Sequence, residues 1–449
     1  MKKLVSLSIS LLFLSLVFAA SVAAGGKAES TGGSAAPVTI NFWAEYTGFE
    51  ALGMNQALDR FNATHPNIKV VYTGQSDVDK KVIAAVLAGD PPNVAEVGNN
   101  QNFPQLVEGG TYLALDDLLK TKGFDFATYW EPWTEGAVSI NGKLYGMPLT
   151  DWVLALVYNK DMFKAAGLDP ENPPKTIADF NVAQRALTKK DAQGNITQTG
   201  LSFRTTFPGW FAPYYSYMFG ATPETLYDAT NKKFLKPDAL YQAWEWLQTF
   251  PKEYGAKELQ KFVSGFGDWG TSAEPFMSGK MAMSLNGPWI AQHLSQYAPD
   301  MNWGVAPAFA VKSVADKGDF GWVGMDLMTI PKGAKNIDQT LEFMIWFSGK
   351  EGQYYFDTGK NGTGRVPTVK DFGGADFFKA ADPVNPMLSK WVQYIGSKNL
   401  GPIPYGSPAE QAYNTELNAM LDPVLNLQID ARKAVDDAVA RAQSSLDRM

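Results

Sequence analysis

Cysteine is missing from this sequence, and histidine is nearly so, with only His65 and His293 among 449 residues. Without cysteine the chain can form no disulfide, thiolate zinc site, iron–sulfur cluster or cysteine nucleophile, and it offers no N-terminal cysteine for lipid attachment. His65 precedes a proline at the end of a predicted helix, and His293 lies inside another. Neither position indicates a metal ligand, so we expect no metal ion and no cofactor.

An excess of basic residues is also missing. The 39 lysines and arginines are outnumbered by 46 aspartates and glutamates, which gives a formal net charge of −7. The electrostatic attraction that dominates nucleic-acid binding therefore has no evident source. We expect no nucleic-acid partner.

Long apolar runs do not occur beyond the N-terminal segment. Residues 1–24 have the pattern of a cleaved secretory signal, with a basic start, an apolar stretch and a region of small residues ending near Ala23 or Ala24. Residues 25–37 are small, polar and without periodicity, which predicts a flexible leader. An uncleaved membrane anchor is the alternative, but the apolar stretch is followed at once by small residues rather than by a basic flank.

The rest of the chain is long and apolar enough to form more than one core. Hydrophobic residues make up 45% of the sequence, whereas a single core rarely grows beyond roughly 250–300 residues. We therefore expect two lobes.

The segment after the leader alternates between strand and helix patterns. Residues 38–43, 68–72 and 94–97 have the period or the apolar character of strands. Between the first two, Met54 and Leu58 recur at helical spacing, and a second helical pattern precedes residues 94–97. The order strand, helix, strand, helix, strand is typical of an α/β fold with a parallel sheet.

Polar loops follow the first and third of these strands. Open α/β sheets bind ligands where the carboxyl ends of the strands meet the following loops. The candidate ligand-binding residues in these loops are Glu45, Tyr46, Thr47, Asn99, Asn100 and Gln101.

Aromatic residues are frequent, at 13% of the sequence. Five tryptophans lie beside glycine, proline or acidic residues: Trp43, Trp152, Trp210, Trp289 and Trp322. A sugar ring has an apolar C–H face and a polar hydroxyl rim, so flat aromatic faces with carboxylates nearby suit it. The pattern suggests a carbohydrate groove, and ordinary packing at the ends of a sheet is the alternative for each residue.

Acidic residues allow two interpretations. Asp151, Asp326, Glu45 and Glu274 are candidates for the carboxylate pair of a glycosidase. Their spacing in sequence gives no separation in space, and hydrogen bonding to a ligand is the simpler role. Arg365 follows glycines spaced as in a phosphate cradle but without the Lys–Ser/Thr ending of a P-loop, so it is expected to contact ligand hydroxyls or to pair with an acid such as Asp326.

A set of short motifs closely resembles the extracellular solute-binding proteins of sugar ABC importers, in the branch of the maltose-binding protein. The motifs occur in the order NGKLYGMP (141–148), VYNKDMF (157–163), AGLDP (166–170), PPKT (173–176), FMSGKMAM (276–283), NGPW (286–289), WGVAP (303–307) and IPKG (330–333). The resemblance spans roughly residue 38 to the C-terminus.

This resemblance implies a type II-like periplasmic binding protein fold with two α/β lobes joined by a hinge and ligand in the cleft between them. The implied division is residues 38–150 with 322–370 for lobe 1, and residues 151–321 with 371–449 for lobe 2. It also implies a monomeric, non-catalytic periplasmic receptor, free of a lipid anchor, that captures a di- or oligosaccharide and delivers it to permease subunits in the inner membrane.

Residue by residue, the resemblance assigns sugar stacking to Trp289 after Gly–Pro, and ligand contacts to the two rim loops, Asp151 and Trp152. The maltose binder has a carboxylate at the position of Trp152 and charged residues at 99–101, so a carbohydrate is implied without maltodextrin in particular. Two alternatives remain open: the same fold binding a polyamine or a glycerol phosphodiester, and a secreted glycoside hydrolase.

Overall fold

The computed structural model describes residues 36–98, 103–130, 132–204, 212, 214–267, 270–402 and 408–448. The predicted signal segment lies outside the described residues, as do Asn99, Asn100, Gln101 and Trp210. No helix within the described ranges is both long and apolar enough to cross a lipid bilayer.

The strands, in chain order, are β1 (Val38–Ala44), β2 (Ile68–Gly74), β3 (Val94–Val97), β4 (Ser139–Ile140), β5 (Lys143–Leu144), β6 (Met147–Asn159), β7 (Lys189–Lys190), β8 (Ile196–Gln198), β9 (Tyr227–Asp228), β10 (Lys233–Phe234), β11 (Met283–Asn286), β12 (Trp303–Ala306), β13 (Phe320–Thr329) and β14 (Asn399–Pro402).

The helices are α1 (Ala51–Thr64), α2 (Val78–Ala88), α3 (Phe103–Glu108), α4 (Asp116–Thr121), α5 (Phe126–Tyr129), α6 (Pro132–Val138), α7 (Lys160–Ala165), α8 (Ile177–Leu187), α9 (Pro223–Leu226), α10 (Asp238–Tyr254), α11 (Ala256–Val263), α12 (Ile290–Tyr297), α13 (Lys312–Ala315), α14 (Ile337–Phe347), α15 (Lys350–Asp357), α16 (Gly374–Ala381), α17 (Leu388–Ile395), α18 (Pro408–Leu425) and α19 (Ala431–Leu446), with a 3-10 helix at Tyr214–Phe219.

One mixed sheet organises the fold. Its strand order is β11-β6-β13-β3-β1-β2, with β12 also paired to β6 and β14 to β13. Strand β1 is parallel to β2 and β3, whereas β13 is antiparallel to β3 and β6. The predicted α/β alternation is thus confirmed from β1 to β3.

Three hydrophobic cores pack around this sheet. The β1–β3 core includes Ile40, Phe42, Val94, Leu327 and Phe347. The α10 core includes Leu156, Trp244, Phe309, Trp322 and Val435. The α17 core is smaller and includes Val153, Ala155, Val157, Ile290, Leu294 and Trp391.

Strand β6 passes through all three cores. Its 13 residues are all buried. Because side chains alternate along a strand, the even-numbered residues from Trp152 to Tyr158 belong to the α10 core and the odd-numbered ones from Val153 to Val157 to the α17 core. Met147 and Leu149, at its start, belong to the β1–β3 core. A polar residue in the middle of β6 therefore lies at the junction of the three hydrophobic cores.

Candidate ligand-binding site

The side chain of Asp326 lies at the centre of a buried polar cluster. It accepts hydrogen bonds from Tyr46 Oη at 2.6 Å, Trp152 Nε1 at 3.1 Å and Arg365 Nη1 at 3.1 Å. The antiparallel register explains part of this arrangement, because Asp326 on β13 lies opposite Thr150 on β6. The carboxylate is thereby fixed by donors from three separate segments of the chain.

Arg365 supplies the positive charge of this cluster. Besides Asp326, its guanidinium reaches Glu50 Oε1, 3.4 Å from Nη2, and lies over the rings of Tyr46 and Trp289 at 4.6 and 5.1 Å from their centroids. Burial disfavours the charge of Arg365, but Tyr46, Asp326 and Glu50 outweigh burial and raise the pKa of Arg365. Pairing with Asp326, one of the two roles expected for Arg365, is the one observed.

Trp152 and Trp289 form an aromatic corner beside the cluster. Their ring centroids are 5.9 Å apart with an interplanar angle of 73°, an edge-to-face contact. Each ring lies against a glycine: a Cβ atom at Gly324 would overlap the ring of Trp152, and one at Gly287 would overlap the ring of Trp289. These glycines are therefore required for the positions that the two rings adopt.

Two further acids are buried next to the cluster, Asp151 on β6 and Asp357 at the end of α15. Burial raises the pKa of Asp151 well above its usual range and raises the pKa of Asp357 to about 8. Asp357 accepts a hydrogen bond from Thr363 Oγ1 at 2.5 Å, while Asp151 Oδ1 and Asp357 Oδ2 contact no hydrogen-bond donor among the described residues. Burial therefore favours the neutral, protonated form of both carboxyls.

The loop after β1 is held by the neighbouring strands. The N–H of Glu45 donates to the carboxylate of Glu96 on β3, and Tyr72 Oη donates to the carbonyl of Tyr46 at 2.6 Å. Glu96 is buried, and burial together with nearby Asp326 raises its pKa well above the usual range. Tyr46 is consequently presented to Asp326 by a fixed loop.

The structure brings together six of the residues singled out in the sequence: Tyr46, Asp151, Trp152, Trp289, Asp326 and Arg365. Glu45 and Thr47 are exposed on the same loop, and Trp43 is half-buried on β1 at the β1–β3 core.

Trp322 lies elsewhere, in the α10 core. It is 1% exposed, and its Nε1 donates to the carbonyl of Tyr214 at 3.0 Å. Core packing, the alternative considered for each tryptophan, accounts for this one, and we do not include Trp322 among the proposed ligand contacts.

Sequence reasoning missed four residues in or next to the cluster: Glu50, Glu96, Asp357 and His293, whose Nε2 lies 3.5 Å from Glu50 Oε1. One signal was available, since Glu96 is the only charge in the buried strand β3, VAEV. A cavity of about 310 Å³ between Ile196, Phe262 and Lys280 is lined by none of the residues of this cluster.

The arrangement offers hydrogen-bonding acids and flat aromatic rings. Within the described ranges, no group of three histidine, cysteine, aspartate or glutamate residues is placed to hold a metal ion. Carboxylates beside tryptophans suit recognition of a hydroxylated, partly apolar small molecule.

The profile of a family described as bacterial extracellular solute-binding protein matches residues 56–386. Among curated relatives, the sn-glycerol-3-phosphate-binding periplasmic protein UgpB of Escherichia coli (strain K12) is 29% identical over 289 residues, 61% of each chain. The corresponding protein of Shigella flexneri is 31% identical over 169 residues, which cover 34% of this chain and 37% of that protein. The matches thus span about two to three fifths of the length of these relatives.

Solved structures match over more of the chain. CpMnBP1 with mannotriose bound has a TM-score of 0.75 and 26% identity, and the match covers 90% of this chain and 100% of that one. The maltose/maltodextrin-binding domain MalE of Bdellovibrio bacteriovorus, bound to maltotriose, has a TM-score of 0.72 at 20% identity, with 91% and 100% covered.

Fold and site together define a two-lobed α/β periplasmic binding protein, as the sequence motifs predicted. Because the family profile covers well over half of its residues, the chain belongs to the bacterial extracellular solute-binding proteins. The names of the relatives above describe proteins that bind solutes, and none of them describes an enzyme.

Proposed function

We propose that this protein is the periplasmic sugar-binding receptor of an ABC transporter, and that it captures a di- or oligosaccharide in an aromatic-lined cleft for delivery to the membrane permease. The observation that carries the proposal is the side-by-side placement of the fixed Asp326 carboxylate and the Trp152–Trp289 corner. The similarity to CpMnBP1 with mannotriose bound supports the same ligand class.

The chemistry of the cluster favours a neutral ligand. Asp326 is held in place by three donors, so a ligand hydroxyl meets an acceptor that needs no reorientation. The tryptophan rings provide apolar faces for the C–H side of a sugar ring. Binding of this kind requires no bond breaking, and we propose that the protein is not an enzyme.

The ligand contacts that we propose are Trp43, Glu45, Tyr46, Thr47, Asn99, Asn100, Gln101, Asp151, Trp152, Trp210, Trp289, Asp326 and Arg365.

We also propose the lobe division made from the sequence, residues 38–150 with 322–370 and residues 151–321 with 371–449. The β1–β3 core supports it, because its buried residues lie between 40 and 149 and between 325 and 356. Trp322 packs in the α10 core. This packing favours placing the point at which the chain returns from the second lobe to the first after Trp322 rather than before it.

Export and partners complete the proposal. The signal pattern of residues 1–24 and the lack of cysteine support a cleaved, unlipidated protein in the periplasm. We propose that it acts as a monomer, binds no nucleic acid and docks on the permease subunits of its importer.

A glycerol phosphate is the second candidate ligand, because the similarity to UgpB extends over 289 residues. The charges of the cluster weigh against it. Arg365 is already paired with Asp326 and Glu50, so a phosphate dianion at this cluster would meet two acids and a single guanidinium.

A thermal-shift screen of residues 25–449 tests the proposal. The ligands are mono-, di- and oligosaccharides, sn-glycerol 3-phosphate and spermidine, because a ligand at 100 times its Kd stabilises the native state by about 2.7 kcal/mol. We expect a shift with one oligosaccharide series that is lost in Trp289→Ala. A shift with glycerol phosphate or spermidine alone would contradict the sugar assignment, and release of reducing ends from a glycoside would replace it with hydrolase activity.

A further inference from the structure

The segment that follows β1 contacts helix α12 across the fold. Gln292 Nε2 donates to the carbonyl of Phe49 at 3.0 Å. The Phe49 ring meets His293 and Tyr297 edge-on, with centroids 5.1 and 5.4 Å apart and interplanar angles of 84° in both pairs. Phe49 therefore touches three residues of α12.

Glu50 adds a polar contact at the same place. Its Oε1 lies 3.5 Å from His293 Nε2 and 3.4 Å from Arg365 Nη2. Although burial opposes its ionisation, His293 and Arg365 lower the pKa of Glu50. The contact with α12 is thus joined to the Arg365–Asp326 pair.

The two sides of this contact are anchored in different cores. Tyr46 and Met54, on either side of Phe49 in sequence, belong to the β1–β3 core. Ile290 and Leu294, next to His293 on α12, belong to the α17 core. The contact of Phe49 and Glu50 with α12 therefore bridges parts of the molecule that pack independently.

The contacts on α12 are made between protein groups. Gln292 and His293 are 5% and 2% exposed, with Phe49 and Glu50 packed against them. Contacts of this kind between the two sides can change affinity through the conformation of the protein.

We propose that Phe49, Glu50, Gln292, His293 and Tyr297 form a latch that favours the closed conformation before ligand binds, and that the latch sets affinity without contacting the ligand. This inference rests on the proposed function only in assuming a cleft that opens and closes. Since apparent Kd equals the intrinsic Kd divided by the population of the competent state, weakening the latch weakens binding.

Phe49→Ala tests the latch, with Tyr129→Ala as matched control. Tyr129 is 40% exposed and stacks on Phe124 at 4.5 Å, so its loss also removes a ring contact, but one within a single segment. We expect small-angle X-ray scattering of ligand-free Phe49→Ala to give a larger radius of gyration than wild type or the control. An unchanged radius of gyration overturns the proposal, whether or not a sugar ligand has been found.

Affinity provides the second measurement once the thermal-shift screen has identified a ligand. Phe49→Ala is expected to bind roughly tenfold more weakly, the size expected for two lost ring contacts, with no loss in Tyr129→Ala. Weaker binding with an unchanged radius of gyration would mean that Phe49 touches the ligand, and would also overturn the latch.

Two further variants guard against a folding defect. Gln292→Met removes only the hydrogen bond to Phe49 and keeps the size of the side chain, so it is expected to expand the ligand-free protein in the same direction. In a double-mutant cycle, Phe49→Ala and Tyr297→Ala are expected to be non-additive in affinity, because each removes the same contact. Additive effects would show that the two residues act separately and would contradict the latch.

Discussion

The indole Nε1 of Trp152 donates a hydrogen bond to Asp326 Oδ1 at 3.1 Å, across the antiparallel strands β6 and β13. This bond joins an aromatic ring to a carboxylate at the point where the chain passes between separately packed cores. A ligand that stacks on the ring and bonds to the carboxylate would thus contact both strands at once.

Trp152→Phe is expected to separate these two roles. Phenylalanine keeps an aromatic ring but cannot donate to Asp326, and a hydrogen bond to a charged group contributes about 1.5–3 kcal/mol. We expect a loss of stability in urea unfolding together with weaker sugar binding by calorimetry.

Trp246→Phe is the matched control, since Trp246 Nε1 donates to the neutral Asn181 Oδ1 at 3.1 Å, away from the cluster. This variant should lose less stability and keep its sugar affinity. Equal losses of affinity in the two variants would contradict a specific role for the Trp152–Asp326 bond.

Gly324→Ala should displace the Trp152 ring. The added Cβ would overlap Trp152 Cζ2, closer than side-chain atoms tolerate, so the ring must move. Overpacking of this kind costs about 1–3 kcal/mol. Near-UV circular dichroism and sugar affinity measure the displacement.

Gly136→Ala is the control for Gly324→Ala, because it is expected to leave the protein stable. Gly136 lies in helix α6, and apart from the backbone of its own helix no atom of the described residues lies within 4 Å of an added Cβ. Alanine in a helix is favoured over glycine by about 1 kcal/mol, so this variant should be slightly more stable and bind normally. A neutral Gly324→Ala would show that Trp152 is free to shift and is not positioned by the glycine.

Asp357 makes the stability of the protein depend on pH. Burial raises the pKa of Asp357 from 3.8 to about 8, so the folded state binds this proton more tightly than the unfolded state does. The stabilisation is complete below about pH 4 and is lost as pH rises through about 8, with a slope of at most about 1.4 kcal/mol per pH unit.

The contribution of Asp357 to the free energy of unfolding can be measured by urea unfolding of wild type and Asp357→Asn at pH 5, 6, 7 and 8. Asparagine mimics the protonated acid, accepts the Thr363 hydroxyl and does not titrate. We expect the variant to gain stability relative to wild type as pH increases. Parallel pH profiles would mean that Asp357 keeps an ordinary pKa.

Local patterns in the sequence predicted the β1–α1–β2–α2–β3 alternation, because periodicity acts over a few positions. The polar cluster depends on contacts of another kind. Tyr46 and Asp326 are 280 positions apart, and Glu50 and His293 are 243 apart. No local pattern pairs them, since their proximity follows from the crossing of β6 and β13 and from the packing of α12.

Arg365→Lys is expected to damage the cluster although the charge is kept. The guanidinium bonds to Asp326 and Glu50 while lying over the rings of Tyr46 and Trp289. A lysine ammonium is a compact charge that cannot reproduce this planar geometry. Breaking a buried ion pair costs about 3–5 kcal/mol, and we expect a substantial part of that loss in urea unfolding.

Arg60→Lys serves as the comparison for Arg365→Lys. Arg60 also pairs with an acid, Glu351 at 2.7 Å, and lies over the Tyr355 ring at 5.3 Å, but both partners of the ion pair are more than 40% exposed. Exposed pairs contribute about 0–1 kcal/mol, so this variant should unfold nearly as wild type does. If the two lysine variants are equally stable, burial of Arg365 between the aromatic rings adds nothing to the fold, and the cluster would act on the ligand alone.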